Sequence, residues 1–269
     1  MSPGKRLRAL VEDVTVQVPG APSALFARLI ERSGYDAIYL SGAAFSAGIL
    51  GLPDVGLFTL TELVQQATYI TRSCAIPLIV DADTGFGENL NVERTVIELE
   101  AAGAAAIQLE DQQFPKRCGH LNGKTLVEPA AMCAKLRAAA GAKSDPDFII
   151  IGRTDARGVT NIDDAIDRAK RYLEAGADWI FPEALQSKDE FEQFAREIDA
   201  PLVANMTEFG KSPLLTLDEL ADLGYSIVLY PVTLLRIAMY GAHAALRVIS
   251  DEGTQSGILD VMQTRDELY

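Results

Sequence analysis

Short apolar runs recur along this chain, each set off by glycine or proline. Four of them follow a helix-like segment that closes on glycine: R-S-G-Y-D-A-I-Y-L around Gly34, A-A-G-A-A-A-I-Q-L around Gly103, E-A-G-A-D-W-I-F-P around Gly176 and D-L-G-Y-S-I-V-L-Y around Gly224. Glycine at such a point takes the left-handed conformation that ends a helix, and the apolar run after it reads as a strand. Three further strands are introduced by proline or Asp-Pro, at 76–81, 145–153 and 200–205. Val14 to Val18, with valines alternating against Thr15 and Gln17, supplies the first. Helical segments lie between most of these runs. The segment 91–102 places Val92, Val96 and Leu99 on one face, and 163–175 and 217–223 read similarly. Thr59 with Glu62, and Thr216 with Glu219, form capping boxes that mark helix starts. Strand-then-helix repeated eight times predicts an α/β fold, a (β/α)8 TIM barrel. A doubly wound sheet requires a glycine-rich phosphate turn after the first strand, and V-P-G-A-P-S does not supply one. Without a linker or a break in composition, 1–269 reads as one domain.

Composition narrows the partners. A net charge of −14 argues against nucleic acid, because a phosphate backbone repels an acidic protein that lacks a basic patch. No apolar run approaches the roughly 20 residues needed to span a bilayer. Lys5, Arg6 and Arg8 precede no apolar segment of the kind a secretory signal carries. The three cysteines (Cys74, Cys118, Cys133) are odd in number and unpatterned, which fits a reducing, cytoplasmic setting. With only two histidines, a His-rich metal site is excluded. An acidic protein that handles an anionic substrate must gather its arginines in the site.

The connections between elements are unequal. Those from Ser41 to Phe58 and from Asp111 to about Val127 are long, and loops longer than about 12–15 residues without structure of their own are usually functional or disordered. Both leave the ends of strands, where a barrel of this type places its chemistry. The strands deliver Ser41 and Gly42, Asp81 and Asp83, Glu110 and Asp111, Arg153 with Thr154 and Asp155, Glu183, Asn205 with Thr207 and Glu208, and soon after the last strand Arg236. In extended chain Asp81 and Asp83 face the same way. Two such carboxylates suit a hard divalent ion completed by water and substrate oxygens, with Glu110 as support. Arg153 and Arg236 offer forks for bidentate carboxylate binding, although pairing of Arg153 with Glu183 is a structural alternative. Backbone amides from Gly42 onward are expected near a substrate carboxylate. In the second long loop, Lys116, Arg117, Cys118, Gly119 and His120 stand together. Neighbouring cations favour a thiolate, so acid–base and nucleophilic roles are both open for Cys118. The set suits C–C cleavage in a carboxylate-rich substrate: a metal polarises the oxygen that becomes an enolate, and a proton donor quenches the carbanion.

The motifs Y-L-S-G, L-G-L-P-D, D-A-D-T-G-F-G, L-E-D-Q, K-R-C-G-H, F-P-E-A and N-M-T-E-F-G are spread over the whole chain. In them the sequence resembles the isocitrate lyase/phosphoenolpyruvate mutase superfamily, and K-R-C-G-H with D-A-D is similar to its lyase branch. The resemblance implies retro-aldol cleavage of 2-methylisocitrate to pyruvate and succinate, a step of propionate catabolism by the methylcitrate cycle. It implies Mg2+, with Mn2+ as a substitute, held by Asp81, Asp83 and Glu110. Cys118, Arg153 and Glu183 are then catalytic, with Cys118 as proton donor on a closing loop and not as a covalent nucleophile. Ser41, Gly42, Ala43, Gly119, His120, Asn205, Thr207, Glu208, Arg236 and Arg265 are implied to contact a di- or tricarboxylate. A homotetramer with exchanged C-terminal helices is implied as well. Three features depart from the pattern. Ala43 stands where glycine is frequent, the chain stops at Tyr269 before the usual last helix, and carboxyphosphoenolpyruvate mutases share K-R-C-G-H. Alternatives are therefore cleavage of isocitrate or dimethylmalate, phosphonomutase chemistry, or a barrel that only binds.

Overall fold

A computed structural model describes residues 1–268. All eight apolar runs form short parallel strands: β1 (Val16–Pro19), β2 (Ile38–Leu40), β3 (Leu78–Asp81), β4 (Ala106–Glu110), β5 (Ile149–Thr154), β6 (Trp179–Pro182), β7 (Val203–Asn205) and β8 (Ile227–Tyr230). Continuous pairing links β2-β3-β4-β5-β6 in one sheet and β1-β8-β7 in another. Single parallel bridges, Gly20 with Tyr39 and Ile180 with Leu202, join the two sheets at both edges. The strand order therefore closes on itself as a (β/α)8 barrel.

The helices are α1 (Pro3–Asp13), α2 (Ala24–Arg32), α3 (Gly42–Phe45), α4 (Leu60–Thr71), α5 (Asn89–Ala101), α6 (Pro129–Ala142), α7 (Ile162–Glu174), α8 (Lys188–Glu197), α9 (Leu217–Asp222), α10 (Thr233–Glu252) and α11 (Arg265–Leu268). Both expected capping boxes are formed, at the starts of α4 and α9. Inward-facing Val18, Tyr39, Ile79, Ile151, Trp179, Phe181, Val203 and Leu229 fill the barrel. Each such side chain contributes roughly 1.5–3 kcal/mol by leaving water.

The N-terminal helix is not legible as an apolar run. Ser2 accepts a hydrogen bond from Lys5 N and Pro3 occupies the first turn, an arrangement that starts a helix. Leu7 of α1 joins the inner core, and Arg8 bonds the Asp147 carbonyl at 2.9 Å and Asp178 at 2.6 Å, just before β5 and β6. The helix thus closes the N-terminal mouth. It can approach only because residue 4 is glycine, since a Cβ there would lie 2.4 Å from the Asp147 oxygen. Val14 ends α1 in place of starting β1. The long 41–58 connection contains α3 and a π-helical turn, Ser46–Leu50, that stops at Gly51 with φ 66°.

The chain divides into two compact units, Met1–Thr233 and Leu234–Tyr269. The first holds the barrel. The second consists of α10, which exposes Ile237, Met239, Tyr240, Leu246 and Ile249, then a 3-10 turn at Ser256–Val261, and α11. Among the described residues no helix is long and apolar enough to cross a membrane.

Candidate active site

Strand register assembles the centre of the site. Asp81 of β3 lies opposite Gln108 of β4, Glu110 of β4 opposite Arg153 of β5, and Arg153 opposite Phe181 of β6. Gln108 donates to Asp81 Oδ1 at 3.1 Å and accepts from the Tyr39 hydroxyl at 2.7 Å. The Arg153 guanidinium is buried among three carboxylates: Asp155 at 3.0 Å, Glu183 at 3.1 Å and Glu110 at 3.5 Å. Its carbon lies 5.1 Å from the Phe181 ring centroid, within cation–π range. Pairing with Glu183 and membership of the site are thus one arrangement. Burial penalises the Glu183 charge, but Arg153 and His120 outweigh it and hold this carboxyl below the usual range. Glu110 moves the other way, raised by burial against the pull of Arg153 and Lys116.

Asp81 and Asp83 do converge, but not by strand alternation. The strand ends at Asp81. Asp83 has φ 48°, a left-handed value costly for a residue with a Cβ, and its amide donates to Asp81 Oδ1 at 3.2 Å. Asp81 Oδ2 and Asp83 Oδ1 each lie 3.1 Å from the point a Cβ on residue 42 would occupy. Glycine is needed there for that approach. The Gly42 amide does not face outward as expected; it donates to Asp81 Oδ2 at 3.1 Å. Burial, with Asp81 beside it, pushes the Asp83 carboxyl up to about 7 despite Lys116.

These residues suit a hard cation by donor chemistry. Asp83 Oδ1 and Glu110 Oε1 are buried oxygens without a hydrogen-bond partner among the described residues, although Lys116 Nζ stands 2.8 Å from Asp83 Oδ1 as an off-axis charge partner. Among the described residues no three His, Cys, Asp or Glu side chains form a closed ligand cluster. The fit is accordingly to an ion such as Mg2+, which takes one or two carboxylates and keeps water or substrate oxygens in its other positions.

The 111–127 loop has more order than its sequence indicated. Gln112 and Leu126 form an antiparallel bridge, Gln113 N bonds Thr125 O at 2.8 Å and Val127 N bonds Asp111 O at 2.9 Å. The tip is seated on the barrel. Lys116, buried, ion-pairs with Asp54 and Asp83, while Arg117 is exposed. The cluster of two cations around a thiol therefore does not exist. Burial pushes the Cys118 thiol up, with the Asp54 and Glu183 charges adding to it and the His120 amide and Arg153 opposing. This corrects the expected tendency toward a thiolate.

Gly119 lies against the arginine: a Cβ on it would meet Arg153 Nη2 at 2.4 Å and Glu183 Cγ at 2.5 Å. His120 Nδ1 accepts from the Lys211 amide at 2.9 Å, which assigns the ring proton to Nε2, 3.0 Å from Glu183 Oε1. Gly210 gives the ring room, since a Cβ there would come within 2.6 Å of Nδ1. Asn205 Nδ2 is 3.3 Å from both Glu183 oxygens, and its Oδ1 is buried without a hydrogen-bond partner among the described residues.

Ser41 caps α3 through Ala44 N, and Ala43 lies in that helix. Thr207 and Glu208 follow β7, and Glu208 accepts from Thr233 at the start of α10. Arg236 and Arg265 belong to the second unit, on α10 and α11. Three residues of the assembled site were not singled out from sequence: Asp54, Gln108 and Lys124. Gln108 had a signal, an amide in mid-strand within A-I-Q-L-E. Lys124 had none.

Comparison with known proteins places this geometry in a family. A family model described as phosphoenolpyruvate phosphomutase matches residues 7–250. The chain belongs to that family, the phosphoenolpyruvate mutase/isocitrate lyase superfamily of TIM-barrel enzymes. Among its relatives is a 2-methylisocitrate lyase of Aeropyrum pernix, 54% identical over 99% of this chain and 86% of the relative. A solved 2,3-dimethylmalate lyase superposes with a TM-score of 0.94 at 32% identity, covering 100% of this chain and 90% of the other. Phosphonopyruvate hydrolase, solved with oxalate and Mg2+, superposes at 0.89 with 30% identity, covering 100% and 94%.

Proposed function

We propose that this chain is a Mg2+-dependent carbon–carbon lyase that cleaves 2-methylisocitrate to pyruvate and succinate. The observation that carries the reading is a thiol, Cys118, kept protonated on a loop seated over the Arg153–Glu183–His120 cluster. Relatives named for this reaction, at about half the residues identical, support the choice of substrate.

Asp81 and Asp83 would hold the ion, with Glu110 beside them, and Mg2+, when bound, would supply polarisation of the substrate hydroxyl oxygen that becomes the pyruvate carbonyl. Arg153 presents a fork to a carboxylate, and the carboxylates around it fix its plane. Asn205, Ser41 and Ala43 are proposed to contact the substrate beside it. The substrate hydroxyl gives its proton to a base of the site and its oxygen becomes the carbonyl of pyruvate as the C–C bond breaks, and the electron pair of that bond stays on the succinate fragment. Cys118 delivers its proton to that carbon. The requirement is a thiol and not a thiolate, and burial of Cys118 meets it.

The test is a panel of 2-methylisocitrate, isocitrate and 2,3-dimethylmalate at matched concentration with Mg2+. Pyruvate and succinate are expected from the first, with turnover lost in EDTA and restored by Mg2+ or Mn2+. Preferential turnover of another acid would reassign the substrate. We further propose a cytoplasmic homotetramer, tested by light scattering on the eluting protein.

A further inference from the structure

We propose that Lys124 is a positioning residue whose ammonium latches the 111–127 loop to the barrel and, through Asp155, sets the plane of Arg153. The inference rests on the lyase reading for its kinetic part only. Lys124 Nζ lies 2.7 Å from Asp155 Oδ1 and donates to the carbonyl of Gly119, the residue after Cys118. Both members of the pair are buried, with side-chain exposures of 1% and 0%. One ammonium thus joins the loop tip to the end of β5.

Asp155 is the other half of the device. Its carboxylate also accepts from Arg153 Nε at 3.0 Å and Nη2 at 3.3 Å, and its amide donates to Asp111 Oδ1 at 2.9 Å. Asp111 in turn accepts from Thr154 and Tyr172 and is the residue from which the loop departs. Arg168, beside Asp111, holds the Val127 carbonyl at 3.0 Å where the loop returns. The loop base is therefore fixed by one network, and at the tip Lys124 joins Lys116 and His120 in reaching down to the barrel, being the one of the three that bonds the backbone beside Cys118. The slot is tight: a Cβ on Gly158, in the turn after β5, would stand 3.0 Å from Lys124 Nζ.

A buried lysine this far from water forms its pair only with the loop down. Lifting the loop removes the ammonium from Asp155 and the contact from Gly119 in one motion. Seating the loop then does two things together. It places the backbone beside Cys118, and it completes the set of charges that orients the arginine.

Two variants on different elements test this: Lys124→Met on the loop, and Gly158→Ala, which crowds the ammonium from the barrel side. Iodoacetamide alkylation of Cys118 without substrate, followed by mass spectrometry, reports the seated fraction whatever the substrate is. Both variants should alkylate several-fold faster than the parent, Lys124→Met more than Gly158→Ala. Mg2+ affinity by calorimetry should stay near the parental value in both; Lys124→Met should melt at a lower temperature, because it strips a buried carboxylate of one partner, whereas Gly158→Ala should melt near the parent. In turnover, Lys124→Met should lower kcat/KM by about 100-fold, the size expected for a misplacement of about 1 Å, with KM raised as well as kcat reduced. Folded Lys124→Met with parental alkylation and parental kcat/KM overturns the latch. If the parent turns over none of the acids while the alkylation difference persists, the latch stands and the substrate reading fails.

Discussion

Two long connections cover the same rim of the barrel, and they are held by different forces. The 41–58 segment satisfies itself locally. Ser41 caps α3, Leu52 N bonds Ser46 O at 2.9 Å, and Phe45 packs edge-on against Phe58 at 5.2 Å. The 111–127 segment contains no helix. Beyond the hairpin rungs at its base, charged and polar groups reach down from it: Lys116 to Asp83, His120 to Glu183, Lys124 to Asp155. Helical turns persist with or without a ligand. Ion pairs can be exchanged for a metal and substrate carboxylates, so on the proposed function the first segment would act as a wall and the second as the closing part. They meet at Asp54, which the wall offers to Lys116.

That division can be broken most severely at the thiol. Cys118→Ser should reduce kcat by about a thousandfold, within the range for a lost general acid, with an unchanged circular dichroism spectrum and melting temperature. Normal turnover in that variant would remove Cys118 from the reaction. Gly119→Ala should follow at about a hundredfold, because its methyl would collide with Arg153 and Glu183. Steady-state kinetics should show the loss while calorimetry shows a folded protein.

The carboxylate that the second segment reaches, Asp83, should also respond to pH. Burial raises the Asp83 carboxyl from 3.8 to about 7. A value raised on folding means that its contribution to stability is complete below about 4 and is lost as pH rises through about 7. Metal-free protein should therefore melt at falling temperature across that window, and Asp83→Asn should flatten the curve. An unaltered slope in Asp83→Asn would assign the effect elsewhere. The smallest change is expected on the wall. Gly51→Ala forces a side chain into φ 66° with no neighbour in the way. It should cost about 1 kcal/mol of stability by denaturant titration and leave kcat within twofold.

Much of this was legible in the chain. Glycine and proline punctuation gave the eight strands, and Thr59 and Thr216 announced α4 and α9. The polar residues Asp81, Glu110, Arg153 and Glu183 could be placed on one rim by position at strand ends. What pattern reading cannot supply is register and turn geometry. Whether Arg153 faces Glu110 depends on how β4 slides against β5, and the convergence of Asp81 and Asp83 depends on a left-handed residue. Lys116 looked like the partner of Cys118 because it lies two positions away. Its long side chain instead reaches 2.8 Å from Asp83, a residue far away in sequence. Short sequence distance was a poor guide wherever a flexible side chain had a buried opposite charge to find.

The contact of Gly119 with Arg153 leaves no room for even a methyl group. It therefore works as a gasket: the loop backbone closes directly onto an arginine already walled by Glu110, Asp155, Glu183 and Phe181. On the proposed function, an acid would have to take its place on the arginine before the loop seats, and its fragments would wait until it lifts. The same absence of a side chain that permits close packing would thus impose an order of events on each turnover.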